Sequence, residues 1–305
     1  MSAHPTPHLE KLSATLVNEK LPEKDKPRVQ RAIENHQAWL DDLGKVTGEP
    51  KEVLKELVRL LNEYRNSIDI GLTFDSEENF LYRQKGQLKL DNSVIEEFLP
   101  RLITPTIIPE LQDMQLKVGP ASSFSSVFFS SSLDSPQVGG GLKIRKKDQD
   151  FSVSKPLYLK ASHQATFEES ITEATFITYV AAECKTNLDK TMFQEACATA
   201  HDTKTAVSGA RYYLLCEWLD MTPQSTSPTD IDEIIILRKA KRLSSNVRKN
   251  FSTYAGRQKY RDQYIKYLID NPFRVEMFQR FITHISDLIK NEAPVERNVL
   301  EQGYF

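Results

Sequence analysis

The chain has 305 residues, with 40 Lys plus Arg against 42 Asp plus Glu, a formal net charge of −2, and 39% apolar residues. That balance is the composition of a folded globular chain, and it excludes a disordered or fibrous one; the length suits one large domain or two modest ones. The longest apolar runs, such as residues 176–182, fall far short of the roughly 18 residues of a membrane span, so no membrane partner is expected. The first ten residues carry no secretory signal, and Cys184, Cys197 and Cys216 lack metal-ligand spacing, which together suit a reducing cytoplasm. Near-neutrality also argues against a nucleic-acid partner, although an average can hide a local field.

Three helices are expected first, over residues 9–20, 27–43 and 50–66, where apolar residues recur at three- and four-residue spacing. Pro27 and Pro50 suit first-turn positions. In the third helix, Val53, Leu54, Leu57, Leu60, Leu61 and Tyr64 form a stripe that reads as core or partner packing. From Ile68 the texture changes: residues 69–80 alternate apolar pieces with acids, and residues 82–89 (YRQKGQLK) are basic. A helix over residues 94–102, capped by Asp91 or Ser93, carries Glu96 and Glu97 near its start. Residues 119–141 are rich in serine and close on Gly139-Gly140-Gly141, which reads as a loop. Phe124, Val127, Phe128 and Phe129 make it an ordered or partner-ordered one. Strands are expected over residues 151–162 and 174–184 (ATFITYVAAEC), then a helix over 190–205 and a third strand over 212–219. The remainder reads as helical, over 230–243, 259–268 and 273–290, with Pro272 marking a break.

Glu183-Cys184-Lys185 stands at the end of the most strand-like segment. The same spacing occurs in Glu49-Pro50-Lys51 and Asp202-Thr203-Lys204, but both lie at expected helix ends. On a strand, Glu183 and Lys185 share a face and Cys184 takes the other. An antiparallel hairpin turning between Thr166 and Phe167 sets Asp150 opposite Glu183 and Asp148 opposite Lys185, while a slip of one residue turns both aspartates away. Asp150, directly before the strand residue Phe151, is the first choice and Asp148 the fallback. Spacing alone is equally the pattern of a surface salt bridge. As a catalytic site, Asp150 and Glu183 would hold Mg²⁺, whose hard character suits carboxylate oxygens and which stabilises charge on a scissile phosphate. Lys185 would orient or help deprotonate the attacking water and offset negative charge on the phosphorus oxygens.

ECKTNLDKTMFQE (residues 183–195) resembles the catalytic strand and following helix of PD-(D/E)XK nucleases, and more narrowly the type II restriction endonucleases related to Bpu10I and BbvCI. Residues 67–102 (SIDIGLTFDSEENFLYRQKGQLKLDNSVIEEFLPRL), 148–162 (DQDFSVSKPLYLKAS) and 211–221 (RYYLLCEWLDM) are similar to the same family. The resemblance implies an α/β fold with an αβββαβ core, a mixed sheet flanked by helices, and N-terminal and C-terminal helical additions. It implies Mg²⁺-dependent cleavage of double-stranded DNA at a short asymmetric site. It further implies a second related subunit, each subunit cutting one strand; an identical partner, giving a homodimer, stays open. By it Glu183 and Lys185 take the motif's acid and lysine. Gln149-Asp150 stands where the family has Pro-Asp, so the choice between Asp148 and Asp150 remains open. Glu97 or Glu96 would add a metal contact from its helix, with a solvated helix face as the plainer reading. Gln194 is placed near the site or simply on the helix surface. The chain then divides into an N-terminal helical region (1–66), a nuclease core (67–225) and a basic, helical C-terminal region (226–305) in the cytoplasm of a prokaryotic cell.

Between Ile234 and Arg261 stand nine basic residues and no acid. Arg238, Lys239, Lys241, Arg242, Arg248 and Lys249 are the expected DNA contacts, because phosphates need such a cluster and arginine also reads guanine edges. Residues 82–89 and 143–147 (KIRKK) are shorter basic stretches suited to the same cleft. Setting those nine aside leaves an acidic remainder, so the near-zero charge averages two unlike surfaces.

Overall fold

The computed structural model describes residues 5–290, and beyond them 297, 300, 301 and 303. The first four residues and most of the tail of the C-terminal region lie outside that description. Helices α1 (Pro7–Leu16), α2 (Lys26–Lys45) and α3 (Pro50–Asn66) each carry proline in the first turn, where its missing N–H costs nothing. At the end of α3 the chain does not stop but loosens into a π-helical stretch, Ser67–Phe74. Asp69 of that stretch accepts from the Arg65 Nε at 3.2 Å, both side chains being buried. After α4 (Asn79–Gln84), Asp91 caps α5 (Asn92–Phe98) through the Asn92 N–H.

Strands β1 (Lys117–Phe129), β2 (Leu142–Ala161) and β3 (Ile171–Leu188) pair antiparallel in sequence order. Helix α6 (Lys190–Ala206) then crosses over to β4 (Arg211–Leu219), which lies parallel to β3, and β5 (Glu233–Lys241) lies parallel to β4. From α5 onward this is the expected αβββαβ order with a fifth strand added. Phe151 faces Ala182 and Ser152 faces Ala181, the register of a turn centred between Thr166 and Phe167, but the pairs next to the turn, from Ala161/Ile171 to Ser154/Thr178, are centred on Thr166; a bulge at Val153/Ser154 makes the difference.

Two expectations fail. The serine-rich stretch is a loop only in its second half: residues 119–129 belong to β1. Its hydroxyls are satisfied across the sheet, Ser123 by Thr178 and Ser122 by Asp148, so polarity there marks cross-strand bonding. The glycine run does turn the chain. Gly139, at φ +56°, would bring a Cβ to 2.4 Å from the Ala161 carbonyl oxygen, which only glycine avoids. Residues 230–243 are not a helix either: Ile234, Ile235 and Ile236 pair with β4 as a strand, the state β-branched runs favour.

One sheet face packs Ala182, Cys184, Tyr213, Leu215 and Ile235 into a core shared with α3, α5 and α10 (Val275–Lys290). The other face packs Ala181, Tyr212, Leu214 and Cys216 against Phe193, Ala196 and Ala200 of α6. At the end of the sheet, α7 (Ser245–Arg248), α8 (Tyr254–Lys259) and α9 (Arg261–Asp270) enclose Phe74, Trp218, Phe251, Tyr264 and Leu268. Among the described residues no helix is long and apolar enough to cross a membrane.

The β4–β5 register shifts between Cys216 and Trp218, and Lys239 takes a left-handed φ of 51°. At this irregularity Arg238 enters the core, 1% exposed, and donates to Glu217 at 3.2 Å and to the Asn271 carbonyl at 2.9 Å. Arg65 donates to the other Glu217 oxygen at 3.0 Å and to the Asp91 carbonyl at 3.0 Å. The guanidinium of Arg238 lies 3.8 Å from the Phe273 ring centroid and 4.8 Å from that of Trp218. Arg238 is therefore a core residue, and its expected contact with DNA is withdrawn. Arg257, another of the nine basic residues, is likewise buried, bonded to the carbonyls of Phe74, Ser76 and Phe251. We predict that Arg238→Ala lowers the free energy of urea unfolding by about 3–5 kcal/mol, because it leaves Glu217 buried with less compensation. A surface phosphate contact would change it by under about 0.5 kcal/mol.

Candidate active site

Glu183 and Lys185 leave β3 on the α6 face, while Cys184 between them lies 1% exposed in the opposite core. The Lys185 Nζ stands 2.7 Å from one Glu183 carboxylate oxygen, and the Tyr212 hydroxyl of β4 donates to the other at 2.6 Å. Asp150, one residue before the Phe151/Ala182 pair, accepts the Cys184 backbone N–H at 3.0 Å. The three side chains open into one cleft of about 380 Å³, which Asp148, Lys89, Asn92, Glu195 and Thr199 also line. Asp150 is half-buried within it; Asp148 is exposed and accepts from the Ser122 hydroxyl at 2.5 Å.

The two acids of α5 part company: one is buried within range of the Asp150 charge, and the other turns into the N-terminal core. Glu97 is fully buried, bonded to the His36 Nε2 at 2.5 Å, and accepts the His8 backbone N–H at 2.8 Å. It thereby caps the start of α1 and is not available to a metal, so the expected Glu97 contact is corrected. Glu96 is the α5 acid beside Asp150. Its Oε1 is buried with no hydrogen-bond partner, and burial first, then Asp150, pushes its carboxyl up to about 7. Burial also raises Asp150, with Glu183 adding to the rise and the Cys184 N–H and Lys89 opposing it. Burial pulls the Lys185 pKa down, but the hydrogen bond and charge of Glu183, with Asp150 and Glu195, outweigh it and raise the pKa, so it is held as an ammonium. The Cys184 thiol is pushed far up by burial and then by Asp150 and Glu96.

Of the helix residues after the motif, Glu195 lines the cleft rather than Gln194, which is exposed and does not line it. Tyr212 and Lys89 were missed as site residues. Tyr212 shares the face of Glu183 through the parallel β3–β4 register, a long-range fact that no local pattern carries. Lys89 had a local signal, the basic YRQKGQLK stretch; its left-handed φ of 53° places it just before α5, on the rim. Among the remaining expected DNA contacts, Lys241 and Lys249 are exposed and Lys239 pairs with Glu276 at 3.4 Å. Arg242 and Arg248 both face Asp220, at 2.8 and 3.8 Å.

Among the described residues no group of three or more His, Cys, Asp or Glu side chains is arranged to hold a metal ion by itself. The donor chemistry nonetheless suits a hard divalent cation: Asp150 and Glu183 supply carboxylate oxygens to one cleft, and Glu96, with its orphaned oxygen, lies within range of the Asp150 charge.

A mixed five-stranded sheet flanked by helices, delivering two carboxylates and a lysine to one strand end, is a nuclease core of the PD-(D/E)XK kind. A family model described as Bpu10I restriction endonuclease matches residues 87–305, and the chain belongs to that family. Among solved structures, a chain of the native BbvCI A2B2 tetramer aligns with a TM-score of 0.61 and 18% identity, covering 96% of this chain and 100% of that one. That likeness is one of fold. No curated protein matches the chain.

A carboxyl whose folded pKa is raised stabilises the fold at low pH, and that contribution disappears as pH climbs through the folded value. In EDTA, the parent should therefore lose stability relative to Glu96→Gln between about pH 5 and pH 8, by about 2–3 kcal/mol. Thermal unfolding of the pair across that range checks it; a difference independent of pH would show that Glu96 titrates normally.

Proposed function

We propose that this chain is a subunit of a type II restriction endonuclease that hydrolyses phosphodiester bonds of duplex DNA at a short, asymmetric site, using Mg²⁺. Its nuclease class follows from the family it belongs to. The finer reading is carried by one observation: Asp150, Glu183 and Lys185 line a single cleft, in the register that pairs Phe151 with Ala182. Asp150 and Glu183 would hold the cation, which would supply positive charge against the scissile phosphate. Tyr212 fixes the rotation of the Glu183 carboxylate. Lys185, kept as an ammonium, orients the attacking water and offsets charge gathering on the phosphorus oxygens. The subunits named in the BbvCI tetramer support a partner that is a second, related nuclease chain, each chain cutting one strand. Lys239, Lys241, Arg242, Arg248 and Lys249 remain the proposed DNA contacts of the C-terminal region (226–305), and the enzyme acts in the cytoplasm of a prokaryotic cell.

Incubating supercoiled plasmid with the purified chain and Mg²⁺, alone and with a candidate partner subunit, tests this. Nicking or linearisation is expected, and EDTA should abolish it. Glu183→Ala, Lys185→Ala and Asp150→Ala should each slow cleavage by about 10²–10³-fold or more while DNA binding persists. Asp148→Asn should stay within about tenfold of the parent, since its carboxylate sits on the exposed rim. Cleavage retained by both Glu183→Ala and Lys185→Ala would sink the assignment. Binding without any metal-dependent cut, even beside a partner, would make the chain a non-catalytic DNA-binding subunit.

A further inference from the structure

A second cleft, of about 540 Å³, adjoins the catalytic one, and Asn92 lines both. It begins where the catalytic strand continues: Thr186 and Asn187 directly follow Lys185 on β3 and line it, and Thr186 donates its hydroxyl to the Asn92 side-chain oxygen. Two residues of strand advance about 7 Å. One strand of duplex DNA carries a phosphate every 3.4 Å along its axis. A strand held at Glu183 and Lys185 thus presents its next phosphates to this cleft.

Five cations line it: at its floor Arg65, buried and paired with Asp69 and Glu217 and with Asp91 beside it, and around it four from separate parts of the sequence, Arg83 at the end of α4, Lys85 in the turn after it, Arg242 just past β5, and Arg248 on α7. Their positions are held by neighbours. The Nε and Nη2 of Arg83 both donate to the Ser252 carbonyl, at 3.3 and 3.2 Å. Arg248 donates to the Leu243 carbonyl at 2.9 Å, and it shares with Arg242 a single carboxylate, Asp220. Two guanidiniums on one acid leave an excess positive charge. Concavity also decides the role: base edges inside a stacked duplex are read by elements that protrude into a groove, whereas a recessed, cation-lined channel accepts the outer backbone.

We propose that this cleft clamps the sugar-phosphate backbone beside the cleavage point, with Arg83, Lys85, Arg242 and Arg248 contacting phosphates and Asp220 serving as their counterion when DNA is absent. This deepens the nuclease reading and rests on it. A phosphate clamp acts on any sequence. Each contact neutralised therefore removes about one unit from the slope of log K against log salt, about eightfold in affinity at 0.1 M salt.

The test is fluorescence anisotropy of a random-sequence 30-bp duplex with the full chain in EDTA, across a salt series. Arg83→Gln, Lys85→Gln, Arg242→Gln and Arg248→Gln should each bind about five- to tenfold more weakly at 0.1 M salt, with the shallower slope. Arg83→Lys should recover most of the slope, and Asp220→Asn, which frees two arginines, should tighten binding about two- to fivefold. Parental affinity and slope in all four neutralised variants would overturn the clamp. So would a loss confined to the cleaved sequence with random duplex unaffected, which would make these residues base readers. A parent that binds no duplex at all would defeat the nuclease reading itself; a parent that binds while its variants match it defeats only the clamp.

Discussion

Arg65, Asp69, Glu217 and Arg238 are buried together, and much of the molecule is arranged around making that tolerable. A single ion without partners at such depth costs several kcal/mol, so two cations and two anions must meet with good geometry. The π-helical widening after α3 brings Asp69 to Arg65, and the irregularity in β5 brings Arg238 to Glu217 on β4. Through the Asp91 carbonyl, Arg65 also holds the residue that caps α5. Helix α3, helix α5 and the two parallel strands are thereby fixed against sliding. Since α5 carries Glu96 and Asn92 while β4 carries Tyr212, this buried cluster sets the spacing of the cleft.

The site itself depends on three separate alignments. Hairpin register brings Asp150 to Glu183, the parallel β3–β4 pairing brings Tyr212, and α5 brings Glu96. Two neighbouring glutamates on α5 show how finely the helix is divided. Glu97 turns inward to cap α1 and meet His36, and Glu96 lies within range of the Asp150 charge. The N-terminal helices are therefore joined to the sheet through the residue next to Glu96.

What the sequence disclosed follows from the range of each interaction. The Glu183/Lys185 pair and its shared face were readable, because strand alternation is a local rule; the register that brings Asp150 opposite was an assumption, and the chain reaches it through the Val153/Ser154 bulge, which no local rule announces. The αβββαβ order was legible through the resemblance of residues 67–221. Strand β1 was not, because serine composition imitates a loop unless the cross-strand partners Thr178 and Asp148 are known. Strand β5 was hidden by the basic run behind its three isoleucines. That run also misled about its own role. A sequence gives the sign of Arg238 and Arg257 but not the Glu217 carboxylate or the Phe74 and Ser76 carbonyls that draw them inward. The cations now placed along the second cleft come partly from outside the run, and tertiary folding alone gathers them.

The residue between the two motif side chains has a practical consequence. Cys184 is walled off in the core with its thiol pushed far up, and Cys216 is buried as deeply. Thiolate, the form that oxidants and alkylating reagents attack, is absent from the strand of Glu183 and Lys185 at ordinary pH. Cys197, the remaining thiol, is partly exposed on α6, but it packs toward the sheet and lies two residues from both Glu195 and Thr199, on the other side of the helix from the cleft. A thiol-directed label on the natural chain would therefore report on the packing face of α6, with the strand of Glu183 and Lys185 left untouched.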